Sequence, residues 1–379
     1  MRRKIWRGLK LGLLAICLAA LVAAFVFSSW VGAQARAVTV LSTAIDTPVL
    51  SWFVRLVTPD PEVEEKTVGG MPATLVRPGG SGPWSAIVSV NGATRRGRHH
   101  PDVQRLARGL ARAGYLTVVP DLPGLPAGEI SAETVDATVD VAAATAGRPG
   151  ASDGRVSLLG VSVGGALALL AAESFELAAR VRVVAALAPY TSLRKVIRLA
   201  TTGSYAGTRY AADPYVRLAV SRSLAAGVGG ADGAALLDAL EAVDDEDPRP
   251  LAPLRSAPPA LLTRVGRVVL ALLLNRDPEK FDRLYARLPR GVRAYVSRLS
   301  PLGRAGRLRA RVELASAPDD KYFPIAESRA LARAAGGTDV SVTETTTLSH
   351  ALPDPSFGAI GDVFRFDGFV VRVLKEARE

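Results

Sequence analysis

Leu158-Leu159-Gly160-Val161-Ser162-Val163-Gly164-Gly165-Ala166-Leu167-Ala168 decides the fold. A short apolar run (Val156 to Leu159) ends at Gly160, as a parallel strand buried on both faces would. An Ala- and Leu-rich stretch, Ala166 to Ala172, follows and reads as a helix. Between them stands G-x-S-x-G, a turn too sharp for bulky neighbours, with Ser162 at its tip. A serine hydroxyl is a weak nucleophile until a base takes its proton, so it must stand clear of the backbone where a base can reach it. The first free N–H groups of the helix, that of Val163 among them, would point back at the serine and hold a developing oxyanion. Gly150-Ala151-Ser152-Asp153-Gly154 fits the same pattern, but it follows Arg148-Pro149 and is expected as a polar loop before the strand.

The base is narrowed by composition, because the chain has three histidines, His99, His100 and His350. His350 follows the β-branched alternating run Asp339 to Thr343, in the loop Leu348-Ser349-His350-Ala351-Leu352-Pro353. A loop beyond a late strand is where an imidazole can swing onto the serine. His99 and His100 precede the amphipathic stretch Val103 to Ala113 and read as helix-entry residues; without a third ligand nearby they make no metal site. The acid is expected from the strand and turn Val312 to Pro324, where Asp319 and Asp320 compete. Asp320 is taken to orient the imidazole and stabilise the imidazolium, and Asp319 to hold the turn.

Taken together, the order Ser162, Asp320, His350 resembles that of the α/β-hydrolases of the serine esterase, lipase and dienelactone-hydrolase-like kind, from about Val63 to the C-terminus. Ala86 to Val90 resembles the strand before the family's oxyanion loop, Leu116 to Asp121 the next strand, and Asp320-Lys321-Tyr322-Phe323-Pro324 the acid loop D-x-x-V-P, with Phe323 for valine. Where many relatives carry His-Gly, this chain has Asn91-Gly92-Ala93-Thr94, and by position the second oxyanion donor is the Ala93 amide. The resemblance implies an α/β fold, a mostly parallel sheet of the eight-strand type flanked by helices, with a helical cap insertion between the sixth and seventh strands. It also implies a serine hydrolase acting on small-molecule acyl esters, with no cofactor or metal and no obligate protein partner. A dienelactone hydrolase proper uses cysteine, and an epoxide hydrolase or dehalogenase aspartate; Ser162 argues against both. The same triad would serve a thioesterase or serine peptidase, and a non-catalytic, membrane-tethered interaction protein on this fold is the alternative of a different class.

The N-terminus carries Arg2, Arg3, Lys4, Arg7 and Lys10, then no charge until Arg36. Leu11 to Val31, 21 residues, would reach about 31 Å as a helix, enough for a hydrocarbon core. The leading cations place that end in the cytoplasm and the enzyme outside, as a single-pass anchor in the cell membrane; secretion after cleavage near Ala33-Gln34-Ala35 is the alternative. Cys17, the only cysteine, lies inside this segment and can form no disulfide within the chain. Net charge is +11, of which those five cations supply nearly half; the remainder is spread without aromatic-interleaved clusters, so nucleic acid is not an expected partner.

The chain is thus divided into a basic stub and membrane segment (1–36), a juxtamembrane stretch (37–61), hydrolase core (62–191 and 309–379) and a helical insertion (192–308). Asp46-Thr47-Pro48 reads as the start of a largely apolar helix, to lie on the membrane or on the hydrolase body. Helices are expected over Ser192 to Thr202, Pro214 to Ala226, Gly233 to Val243, Pro258 to Leu274, Pro278 to Leu288 and Arg290 to Leu299. Val265 to Leu274, the most apolar piece, is either a buried cap helix or a lid on acyl chains, and Asp244-Asp245-Glu246-Asp247 reads as a solvated turn.

Overall fold

The computed structural model describes residues 30–45, 48–256, 262–350, 352–353 and 360–379. Strands β1 (Glu62–Val68), β2 (Met71–Arg77), β3 (Trp84–Val90), β4 (Tyr115–Pro120), β5 (Ala151–Val161) and β6 (Val181–Leu187) come first. A small hairpin follows, β7 (Ser204–Tyr205) with β8 (Thr208–Arg209), and then β9 (Arg311–Ser316) and β10 (Val340–Glu344). The main sheet has eight strands in the order β1-β2-β4-β3-β5-β6-β9-β10. β1–β2 and β2–β4 pair antiparallel and every other neighbour pair is parallel. This is the α/β-hydrolase arrangement expected from the sequence.

The helices are α1 (residues 30–45), α2 (Pro48–Val57), α3 (Pro101–Arg112), α4 (Ala132–Ala146) and α5 (Val163–Ala172). Then come α6 (Leu193–Thr202), α7 (Pro214–Val228), α8 (Gly230–Glu241), α9 (Ala252–Ser256), α10 (Arg264–Leu273), α11 (Pro278–Arg287), α12 (Arg290–Arg298), α13 (Ala326–Ala334) and α14 (Ile360–Glu376). Helix α5 is buried along its whole length, which its all-round apolar sequence requires. β6 is buried at all seven residues, as a central parallel strand must be.

Helices α6 to α12 fill the interval between β6 and β9. Short α9 was not anticipated, and the expected start at Pro258 lies outside the described residues. Polar ties fasten these helices to the loop before α4: the Tyr295 hydroxyl donates to the Ile130 carbonyl at 2.6 Å, and Arg222 donates to the Ala127 carbonyl while also holding the carbonyls of Leu240 and Val243 within the helical layer. Leu270 and Leu273 are buried in the core, so α10 packs within this helical layer, as the buried-helix alternative expects.

Two local readings are corrected. Ser152 does not precede the strand; β5 begins at Ala151 and takes in the second G-x-S-x-G match, because Trp84 and Ala151 pair across a register irregularity at the strand's start. The acidic run is not merely solvated either. Asp245 pairs with Arg95 at 3.2 Å and with buried Arg222 at 3.4 Å. Of the segment Leu11 to Val31, all but residues 30 and 31 lies outside the described residues. Among those described, no helix is long and apolar enough to cross a membrane.

Glu173, at the C-terminus of α5, is buried. Arg304 Nε lies 3.5 Å from one oxygen, yet neither oxygen accepts a hydrogen bond within the described residues. Desolvation outweighs the nearby Arg304 and Arg307 and pushes the carboxyl from 4.5 up to about 8. Between those values the folded chain holds a proton that the unfolded chain has released, so stability falls as pH rises through the window and the cost is complete above it. Glu173→Gln is expected to flatten this slope, adding on the order of a few kcal/mol at pH 9 and little at pH 4. Denaturant melts of both proteins at the two pH values check it; parallel pH profiles would disprove it.

Candidate active site

Ser162 caps the N-terminus of α5 with φ +57° and ψ −122°, a strained conformation for a non-glycine residue that throws the side chain above the C-terminal edge of the sheet. The turn closes only because its flanks are glycines. A Cβ on Gly164 would stand 2.2 Å from the Val90 carbonyl oxygen, and one on Gly160 would stand 2.3 Å from the Gly164 carbonyl oxygen. Backbone, not a flexible side chain, occupies both places.

The three candidates for nucleophile, base and acid meet there, although 188 residues separate the first from the last. The His350 Nε2 lies 2.7 Å from Ser162 Oγ. On its other side Nδ1 lies 2.8 Å and 3.0 Å from the two Asp320 oxygens. An ionised Asp320 accepts from Nδ1–H, which leaves Nε2 as the lone-pair nitrogen facing the serine. His350 sits at the tip of a hairpin, where Leu348–Ser349 pairs antiparallel with Leu352–Pro353, and its φ is +56°.

Asp320 is fully buried while Asp319 is exposed, and the structure corrects the division of labour between them. Asp320 itself holds the turn: one of its oxygens accepts from the amides of Tyr322 at 2.7 Å and Phe323 at 3.0 Å. The acid is thereby aimed by the backbone of its own loop.

The Val163 amide begins α5, and neither it nor the Ala93 amide has a backbone acceptor among the described residues. Buried Asn91 donates from its side-chain amide to the Gly92 carbonyl at 2.9 Å, which fixes the turn carrying Ala93.

His350, Ser162, Ala93 and His100 share one open cavity of about 530 Å³, within the range of small-molecule sites. His100 also caps α3, its Nδ1 accepting from the Asp102 amide at 3.3 Å, so the helix-entry reading holds while the side chain reaches the cavity as well. His99 is exposed.

Sequence reasoning missed four contributors. Tyr322 stacks on the His350 ring, with centroids 4.2 Å apart and planes 28° from parallel. Burial, with Asp213 and Asp320 nearby, pushes its phenol up to about 12, so it stays neutral beside the imidazole. Its place in D-K-Y-F-P was visible, but nothing in the spacing says that it covers the base. Asp245 and Glu246 line the cavity mouth from the helical layer. Glu327, fully buried on α13, accepts from the amides of Thr191 at 2.7 Å and Ser192 at 2.6 Å and from the Tyr205 hydroxyl. It ties the exit of β6 to the helix behind the acid loop, and no local pattern signals it.

The fold and this serine, histidine and aspartate geometry define a hydrolase class. The sequence profile of the alpha/beta hydrolase family matches residues 87–354, and the chain belongs to that family. Among curated proteins no relative matches it. Similar solved structures include the hormone-sensitive-lipase homologue EstE7 from a metagenome library, 14% identical with a TM-score of 0.45, the match covering 90% of this chain and 97% of that one. A hormone-sensitive lipase from a metagenome library is 14% identical with a TM-score of 0.47, covering 86% and 90% respectively. The acylaminoacyl peptidase of Pyrococcus horikoshii is 14% identical with a TM-score of 0.45, covering 78% of this chain and 38% of that one.

Proposed function

We propose that this chain is a serine hydrolase that cleaves carboxylic esters through an acyl-enzyme, tethered to the cell membrane by its N-terminal segment with the catalytic domain on the extracytoplasmic side. The observation that carries the chemistry is the continuous line from Ser162 Oγ through His350 to Asp320, at 2.7 Å and 2.8 Å, on a strained elbow. Ser162 Oγ attacks the acyl carbon as His350 Nε2 takes its proton, and the carbonyl π electrons move onto oxygen facing the Val163 and Ala93 amides. Collapse breaks the bond to the alcohol, which leaves with the proton from His350. Water, deprotonated by the same nitrogen, then releases the acid and restores Ser162. Asp320 keeps the imidazole in the required tautomer and stabilises its charged form. The purified chain is expected to hydrolyse short p-nitrophenyl esters and to be labelled at Ser162 by a fluorophosphonate; a folded sample that does neither removes the reading.

The tether is supported by the apolar stretch Leu11 to Val31 behind five cations and by α2. That helix exposes Val49 (79%), Trp52 (63%) and Leu56 (68%) beside Phe53 and Val57, a surface costly in water and suited to a lipid interface. Sedimentation with membranes that is lost on deleting residues 1–36 is the expected result. Equal recovery of both forms in the soluble fraction would remove the tether.

A further inference from the structure

Behind the oxyanion turn lies a second cavity, of about 330 Å³, on the α3 and α14 face of the sheet. It is distinct in chemistry from the open catalytic cavity. Leu159 and Leu187 form its floor, and Leu41, Ala44 and Ile45 of α1 close it on one side. Phe369 and Val373 of α14 close it on another. The stretch of α14 that lines it, Phe366 to Leu374, is about 12 Å long at the helical rise. The two cavities are adjacent, for Gly92, Asp102, Val103 and Val161 line both. Gly92 and Val161 are also the residues beside Ala93 and Ser162, so an acyl group held at the serine has an apolar space next to its attachment point.

Helix α1 is fastened as a wall. Arg105 Nε donates to the Ala44 carbonyl at 3.3 Å. Gly109 of α3 lets the helices touch: a Cβ there would stand 3.0 Å from the Val40 carbonyl oxygen. Ala33, Ala37 and Val40 are buried against the body. Helices α1 and α14 lie outside residues 87–354, the stretch that matches the family, while Ser89, Leu159 and Leu187 of the lining lie inside it.

We infer that this chamber receives the acyl chain of the substrate, and that α1 and α14 thereby set a preference for medium-chain acyl esters over acetyl esters. The inference rests on the serine-hydrolase reading for its catalytic consequence, but the chamber can be probed without turnover. An apolar wall rewards each methylene it takes from water by roughly fourfold in binding. The occupant is an unbranched acyl chain, since the space is mostly apolar, with Asn91, Asp102 and Arg105 among its lining, and is bounded by two helices.

The experiment uses the purified full chain with p-nitrophenyl acetate and decanoate, and separately measures decanoate binding by calorimetry. Wild type is expected to favour the decanoyl ester in kcat/KM by about tenfold or more and to bind decanoate. Ala44→Trp, which fills the chamber, is expected to lower that preference at least tenfold and abolish decanoate binding. Leu41→Ala, which enlarges it, shifts the preference to longer chains and guards against an Ala44→Trp that fails to fold. Val38→Trp, on the exposed side of α1, leaves the ratio at the wild-type value. A folded Ala44→Trp with unchanged chain-length preference and unchanged decanoate binding overturns the inference. Decanoate binding that Ala44→Trp abolishes, in a wild-type chain that cleaves no ester, upholds the chamber and overturns the serine-hydrolase reading instead.

Discussion

Ser162→Ala is expected to reduce ester turnover by roughly a millionfold while leaving the melting transition and the substrate-binding surface nearly as they were. The serine is a bridge between two ordered parts, not a packing element: its Oγ contacts the imidazole and its side chain is partly open to the cavity. Alanine keeps the Cβ and removes the atom that becomes bonded to the acyl carbon. The residual rate would come from the Val163 and Ala93 amides polarising the carbonyl for direct attack by water. Steady-state kinetics on a p-nitrophenyl ester, with intact-mass analysis after fluorophosphonate treatment, make the check. Retained labelling elsewhere with retained turnover would mean that a different nucleophile carries the reaction.

Asp320→Asn is expected to lower kcat by about ten-thousand-fold, for a reason the geometry makes specific. Asparagine still offers an oxygen to the amides of Tyr322 and Phe323, so the turn is kept. Its other atom becomes an NH₂ set against His350 Nδ1, where the carboxylate stood 2.8 Å away. The ring then accepts at Nδ1 and carries its proton on Nε2, which cannot take one from serine. Asp319→Asn, at an exposed position, is expected to leave kcat at the wild-type value. Rate against pH for both variants tests the pair; equal losses at 319 and 320 would show that charge in the loop matters and not the imidazole contact.

Most of the sheet was legible from residues alone. β3, β4, β6 and β9 are runs of apolar or β-branched residues bounded by polar turns, and a parallel strand covered on both faces has no other way to be written. The antiparallel β1 was not legible, because Glu62 to Val68 is charged and largely exposed at the sheet edge. There the pattern that identifies a buried strand is absent, and the pairing with β2 decides. Helix α1 escaped for a different reason. Its small buried residues Ala33 and Ala37 continue an apolar stretch whose length suggested a membrane segment, and only the close approach to Gly109 shows that its latter part belongs to the body.

At the site, motif order and composition named Ser162, Asp320 and His350 as candidates, with Asp319 competing for the acid. A nucleophile needs a sharp glycine-flanked turn, three histidines leave few bases, and a carboxylate before a proline turn is a restricted pattern. Those are local constraints, and local constraints are written in consecutive residues. What the tertiary structure alone decided is everything held by contacts across the chain. It selected Asp320 as the holder of its own turn, laid Tyr322 over the imidazole, paired Asp245 with Arg95 and Arg222, and brought α1 and α14 together behind the turn at Asn91 and Gly92. Each depends on packing between segments far apart in sequence, whose register is set by the sheet and its helices, and a linear pattern carries no record of that.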